Sequence, residues 1–128
     1  MFTWQDQPDY HHRELDIELG RWGKATNMNS QFVVQPSTNP QNKKRFEMKQ
    51  NYIETIYKII WSKQSVEFSM YPSNSPDKPY SSWKYTNQAG IPVPGNENFR
   101  IDVWLNNGSP PQNKQSLEVV FKSFRFTP

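Results

Sequence analysis

Residues 14–19 read Glu14-Leu15-Asp16-Ile17-Glu18-Leu19, an unbroken alternation of acidic and apolar side chains. Side chains on a β-strand point to opposite faces in turn, so the apolar residues of this segment share one face and the acids share the other. A strand of this kind packs its apolar face on a core and leaves its second face open. The segment therefore predicts a half-buried strand that presents Glu14, Asp16 and Glu18 together.

The remainder of the chain also favours β-structure. Asn, Ser, Gln, Pro and Gly interrupt the sequence at short intervals and several segments between them alternate, which is typical of an all-β sandwich. The pattern predicts strands over residues 2–4, 12–19, 30–35, 45–49, 55–61, 65–71, 99–105 and 117–126, with loops over 72–79 and 108–113. In the strand over 99–105, Asp102 and Trp104 share one face.

The composition limits the classes of protein that this chain can belong to. Its 128 residues fit one domain, and five Trp, six Tyr and eight Phe suit an open binding face. The absence of Cys excludes disulfides, thiolate metal sites and Cys nucleophiles. The net charge of +3 is small, and the only basic run, Lys43-Lys44-Arg45, is interpreted as a solvated turn or strand start. The sequence has no basic patch typical of nucleic-acid binders, no apolar run of about 20 residues and no signal-peptide layout.

The predicted acidic strand matches what glycoside hydrolysis needs. The Cα atoms of Glu14 and Glu18 are expected about 13 Å apart, from roughly 3.3 Å per residue. Leaning side chains on a curved strand can approach the separation of roughly 5–5.5 Å between carboxyl groups that a retaining glycosidase uses. Neighbouring acids cannot all ionise cheaply, so one is expected to keep its proton near neutral pH, as a general acid must. From the pattern alone, a solvated strand face or a calcium site is an equal alternative.

The acidic strand and its surroundings resemble the active-site strand of glycoside hydrolase family 16. The residues that carry the resemblance are Glu14-Leu15-Asp16-Ile17-Glu18, with Arg13 before them and Leu19-Gly20-Arg21-Trp22-Gly23 after them. Residues 29–36, 100–105 and 118–124 resemble later strands of the same family, in the family's order. The resemblance implies a two-sheet, concanavalin-like β-jelly roll with a concave cleft.

The resemblance also implies a role for each acid. Glu14 would be the nucleophile, Glu18 the general acid/base, and Asp16 the residue that tunes them. Substrate contacts are implied for five further residues, namely Trp22, Gln31, Gln35, Asp102 and Trp104. Many relatives have Asn at the position of Asp102, and lichenases have a polar residue at the position of Val33, so the glucan specificity stays open. Core packing for the tryptophans, and a plain surface location for the glutamines, are the structural alternatives.

The implied function is a retaining endo-β-glucanase that cleaves internal β-1,3 or β-1,3-1,4 linkages. No organic cofactor or catalytic metal is implied; a structural calcium is compatible with the resemblance, but no residues of the sequence indicate one. The expected partner is a β-glucan polysaccharide or oligosaccharide, and neither nucleic acid nor a membrane is expected. Two alternatives keep the same fold: a non-catalytic carbohydrate-binding jelly roll and a transglycosylase that uses the same acids. A nucleic-acid-binding β domain is disfavoured by the three acids on one face.

Residues 1–128 are expected to form a single family-16-like domain that lacks the family's N-terminal strands. The longer parent chain is expected to be secreted or extracellular. Because part of the cleft wall would be missing, we expect residues 1–128 alone to be weakly active or inactive and the longer parent to hydrolyse β-glucan. Assays of both lengths on mixed-linkage β-glucan and laminarin test this expectation, and full activity of the shorter chain would refute it.

Overall fold

The computed structural model describes residues 1–49 and 54–128, and in these residues the fold is all-β, as the alternating segments predict. Eight strands form: β1 (Phe2–Trp4), β2 (Leu15–Leu19), β3 (Ser30–Val34), β4 (Lys43–Phe46), β5 (Thr55–Trp61), β6 (Val66–Pro72), β7 (Ser81–Tyr85) and β8 (Asn98–Arg100). Short 3-10 helices lie at His11–Arg13, Pro40–Asn42, Gln88–Gly90 and Asn106–Gly108.

The strands form two antiparallel sheets. The first sheet has five strands in the order β4-β3-β2-β1-β8, and the second has three strands in the order β5-β6-β7. Neither sheet closes on itself, so the architecture is consistent with a β-sandwich of the jelly-roll kind. The acidic strand β2 lies in the middle of the first sheet, with β1 on one side and β3 on the other.

The core lies between the two sheets. The buried residues that form it are Leu15, Ile17, Phe32 and Val34 from the first sheet, Val66, Phe68, Met70 and Tyr85 from the second, and Ile91 from the loop after β7. Phe32 and Phe68 join the sheets, because their rings stack with centroids 5.3 Å apart. The Trp83 ring also stacks on Phe68, with centroids 5.6 Å apart. Leu15 and Ile17 therefore point into the core, as the alternation in residues 14–19 predicts. Leu19, at the end of the strand, is instead 48% exposed.

The observed strands differ from the predicted ones mainly at their ends. β1 and β5 have the predicted bounds, and β6 is shifted by one residue. β2 begins later than residue 12 because a 3-10 turn occupies His11–Arg13, and β4 begins at Lys43 and ends at Phe46 rather than spanning 45–49. The prediction missed β7, although its sequence Ser-Ser-Trp-Lys-Tyr alternates.

Of the two strands predicted near the C-terminus, one is shorter than predicted and the other does not form. The segment 99–105 is a strand only as far as Arg100, and no strand forms over 117–126. Consequently Val103, Leu105 and Trp104 are exposed rather than held in a sheet. An extended segment counts as a strand only where a neighbour accepts its backbone hydrogen bonds, and the pairing of β8 with β1 ends at Arg100 opposite Phe2.

Side chains of the segment 117–126 contact other parts of the chain at two places. The ring of Phe124 stacks on Phe99 with centroids 4.7 Å apart, and Lys122 pairs with Glu54 at 3.1 Å. Its apolar residues, among them Val119 and Phe121, are largely exposed. The apolar residues of segment 117–126 alternate as in a strand, but the segment does not form one.

Replacing Phe32 with Ala should lower the free energy of unfolding by about 3–5 kcal/mol, because the change removes a fully buried ring that packs on Phe68 and leaves a cavity. Urea denaturation followed by tryptophan fluorescence measures the loss. Ile56→Ala is the control, since Ile56 is 43% exposed and should cost under about 1 kcal/mol. Equal losses for the two variants would contradict a core centred on Phe32.

Candidate functional site

The three predicted acids lie together on the face of the first sheet that points away from the core. Asp16 is 3% exposed, whereas Glu14 and Glu18 are half-buried. Glu14 precedes the first residue of β2, yet its backbone is extended and its carbonyl accepts a hydrogen bond from the Gln35 amide at 3.1 Å. The alternation therefore continues through Glu14, and all three side chains share one side of the strand.

The central acid of this group is strongly perturbed. Burial, together with the charges of Glu14 and Glu18, raises the pKa of Asp16 to about 8. Burial also raises the pKa of Glu14, against the opposing effect of a hydrogen bond with Asp16. At neutral pH Asp16 therefore keeps its proton and can donate it in a hydrogen bond to the Glu14 carboxylate.

Two glutamines of β3 and its C-terminal end contact the acids from the neighbouring strand. The Gln35 amide nitrogen Nε2 donates to Oδ2 of Asp16 at 2.8 Å, and the Gln35 oxygen Oε1 accepts from the Ser37 amide at 2.7 Å. Gln31 Nε2 donates to Oε2 of Glu18, which is its cross-strand partner. Each predicted glutamine thus contacts one acid, so its amide is engaged within the protein.

Arg45 of β4 completes the row that begins with Glu18 and Gln31. Gln31 lies opposite Arg45 in the register, and Arg45 Nε donates to Gln31 Oε1 at 2.9 Å. The Arg45 guanidinium lies over the indole of Trp22, 4.6 Å from the ring centroid. The sequence indicated Trp22. It also interpreted Lys43-Lys44-Arg45 as a solvated turn or strand start, and this run does begin β4 with Arg45 exposed, but the contact of Arg45 with Gln31 was not predicted.

Aromatic side chains of β1 border the acids on their other side. Phe2 lies opposite Asp16 in the register, and Trp4 follows two residues later, with its ring edge-on to Phe2 at 6.3 Å. The Trp4 indole stacks on His12 at 4.1 Å, and the guanidinium of Arg100 lies 5.7 Å from its centroid. The spacing of Phe2 and Trp4 on a strand is the signal that could have placed both on this face.

The amino group of Met1 also lies near the acids. It donates to the Ile17 carbonyl at 3.1 Å, which places it beside β2. Burial lowers its pKa, and the charges of Asp16, Glu18 and Asp102 act in the opposite direction. Asp102 is therefore close enough for its charge to act at this end of the site.

The two remaining predicted substrate-contact residues, Asp102 and Trp104, do not lie on a strand as predicted. Asp102 and Trp104 lie beyond the end of β8 instead of on a cleft strand, and Trp104 is 60% exposed. The prediction of a strand under these residues was wrong because the ladder with β1 ends at Arg100. Their contact with substrate stays a prediction.

Comparison of the chain with protein-family models, with curated proteins and with solved structures found no match in any of the three. Within residues 1–49 and 54–128, no set of three or more His, Asp or Glu side chains is arranged to hold a metal ion. The same residues contain no helix with the length and apolar character needed to cross a bilayer.

The raised pKa of Asp16 predicts how stability depends on pH. A carboxyl whose pKa is higher in the folded state stabilises the fold below its unfolded pKa of about 4, and this contribution is lost as pH rises through the folded value of about 8. Asp16→Asn mimics the protonated acid and should flatten the decline in the free energy of unfolding between pH 5 and pH 8. The same variant should be more stable than the unaltered chain at pH 8.

Urea denaturation at a series of pH values measures this difference, and Asp77→Asn is the matched control in the exposed loop between β6 and β7. The Asp77 variant should keep the pH dependence of the unaltered chain. If Asp16→Asn keeps it as well, Asp16 is not the group that holds the proton.

Proposed function

We propose that this chain is a retaining glycoside hydrolase that cleaves internal linkages of β-glucans. The observation that carries the proposal is the group of acids on β2: a nearly buried, protonated Asp16 between two half-buried glutamates. A set of acids of one charge sign would destabilise a face that served only solubility, because like charges repel at this spacing. Acids with environments that differ this much are typical of acid–base catalysis.

Glu14 is proposed as the nucleophile. A carboxylate must be ionised to attack, and burial works against ionisation of Glu14. The hydrogen bond from Asp16 offsets part of that cost, since its proton points to the Glu14 oxygen. Asp16 would therefore act by holding Glu14 in the charged form and in a fixed orientation.

Glu18 is proposed as the general acid/base. Gln31 contacts Oε2 of Glu18, which leaves Oε1 for proton exchange with a substrate. In the first step Glu14 attacks the anomeric carbon, the glycosidic bond breaks, and Glu18 gives its proton to the departing oxygen. In the second step Glu18 takes a proton from water, the water oxygen attacks the same carbon, and Glu14 leaves as a carboxylate.

The aromatic residues around the acids support a sugar as the substrate. Flat rings stack on the apolar faces of pyranose units, while polar side chains between them orient the hydroxyl groups. Trp22 lies on the β4 side of the acids and Phe2 on the β1 side, whereas the Trp4 ring is already stacked on His12. The choice of a β-glucan rests on the resemblance of the acidic strand to family 16.

Glu14→Gln should abolish hydrolysis of mixed-linkage β-glucan while binding of the glucan is kept, because the amide fills the same space but cannot attack. Glu18→Gln should lower kcat by about 10²–10⁴-fold, the usual contribution of a general acid–base group. Reducing-sugar release measures activity, and affinity electrophoresis in glucan gels measures binding. Glu67→Gln is the matched control, since Glu67 pairs with Lys84 on the second sheet.

These measurements are made on residues 1–128 and on any longer natural form of the protein, and the variants are compared in the form that is active. Hydrolysis that survives Glu14→Gln would contradict the mechanism. Binding of glucan without turnover in every form tested would favour a carbohydrate-binding module. Transfer of the glycosyl group to added oligosaccharide in preference to water would favour a transglycosylase.

A further inference from the structure

We propose that Arg45 is a positioning residue that acts on Glu18 through Gln31. The inference rests on the proposed role of Glu18 as acid/base. It starts from an unbroken chain of contacts across three adjacent strands: Glu18 on β2, Gln31 on β3 and Arg45 on β4. Each contact in the chain is a side-chain hydrogen bond between direct cross-strand partners.

The orientation of the Gln31 amide is the step on which the inference depends. An amide side chain can turn over and exchange its oxygen and its nitrogen, because the two ends have nearly the same shape. Arg45 has only donors, so it requires the Oε1 end of Gln31 to face it. The Nε2 end then faces Glu18, where it donates to Oε2.

Trp22 holds Arg45 where its Nε–H can donate to Gln31 Oε1. The Arg45 side chain is exposed, and an exposed arginine would otherwise sample many rotamers. Its guanidinium instead lies over the Trp22 ring, 4.6 Å from the centroid, an arrangement that favours a planar cation. The Nε–H is thereby directed toward Gln31 Oε1 at 2.9 Å.

The consequence for Glu18 is that its two oxygens become unequal. Gln31 occupies Oε2, so Oε1 is the oxygen that faces the reaction and exchanges protons. If the amide turned over, its oxygen would face the carboxylate and repel it, and Glu18 would lose its fixed direction. A misdirected general acid slows proton transfer and leaves substrate binding unchanged.

Three substitutions separate the hydrogen bond of Arg45 from its charge. Arg45→Met keeps an unbranched side chain that reaches the position of Nε and has no N–H donor. Arg45→Gln places an amide nitrogen at the chain position of Nε and restores a donor without the charge. Arg45→Lys keeps the charge but has a methylene group at that position.

Arg45→Met and Arg45→Lys should each lower kcat for β-glucan about three- to tenfold with KM changed less than about twofold, from the usual strength of one hydrogen bond. Arg45→Gln should keep most of the kcat of the unaltered chain. In a Gln31→Leu background, Arg45→Met should cause no further loss, since its effect passes through Gln31. Lys58→Met, an exposed position on the second sheet, controls for the loss of one positive charge.

A direct contact between the Arg45 charge and the substrate would give a different pattern of losses. If Arg45 binds substrate by its charge, Arg45→Lys restores activity, Arg45→Gln does not, and the defect appears in KM; that pattern overturns the inference. Additive losses from Arg45→Met and Gln31→Leu overturn it as well. Thermal unfolding of each variant establishes that the compared proteins are folded.

A second readout does not need enzyme activity. In NMR spectra of ¹⁵N-labelled protein, the side-chain amide signals of Gln31 should shift in Arg45→Met, and relaxation should show a more mobile side chain. In Arg45→Gln the signals should stay near their original positions. Unchanged Gln31 signals in Arg45→Met overturn the inference. If neither residues 1–128 nor any longer form of the protein hydrolyses glucan, the proposed function fails, while these spectra still decide whether Arg45 orients Gln31.

Discussion

Burial of Leu15 and Ile17 determines which way the three acids of β2 face. A strand has two sides, and a shift of one residue in its register would exchange them. With Leu15 and Ile17 packed against the rings that join the sheets, such a shift would put carboxylates into the core. The core contact thus specifies the direction of the acidic face, and the site depends on it.

The acidic face carries an electrostatic cost that the neighbouring residues reduce. Asp16 is almost fully buried between two other acids, and an ionised carboxylate in that place would be strongly destabilised. Retention of its proton removes one negative charge from the group. The amide of Gln35 satisfies the oxygen that the proton leaves free. The arrangement is tolerated because one acid is neutral and hydrogen-bonded.

Cross-strand register connects this acidic strand to residues that are distant in the chain. Phe2 lies on β1, Gln31 on β3 and Arg45 on β4, and the acids lie on β2. These side chains come together because the four strands pair in the order β4-β3-β2-β1. Side chains directly opposite each other in a sheet are close enough for hydrogen bonds and stacking. The polar row from Glu18 to Arg45 and the aromatic border formed by Phe2 and Trp4 are both products of this pairing.

The sequence by itself determined the β class, the facing of Leu15 and Ile17, and the common side of Glu14, Asp16 and Glu18, because a strand has a period of two wherever one face is buried. The resemblance to family 16 implied substrate contacts for Gln31 and Gln35, and the structure places their side chains against Glu18 and Asp16. Only the tertiary structure decided which partners those side chains meet: Arg45 reaches Gln31, and Trp22 reaches Arg45, through strand pairings that local pattern does not encode. The structure also decided that the alternation near residues 99–105 and 117–126 does not yield full strands, since a strand needs a neighbour for its backbone hydrogen bonds and alternation alone cannot supply one.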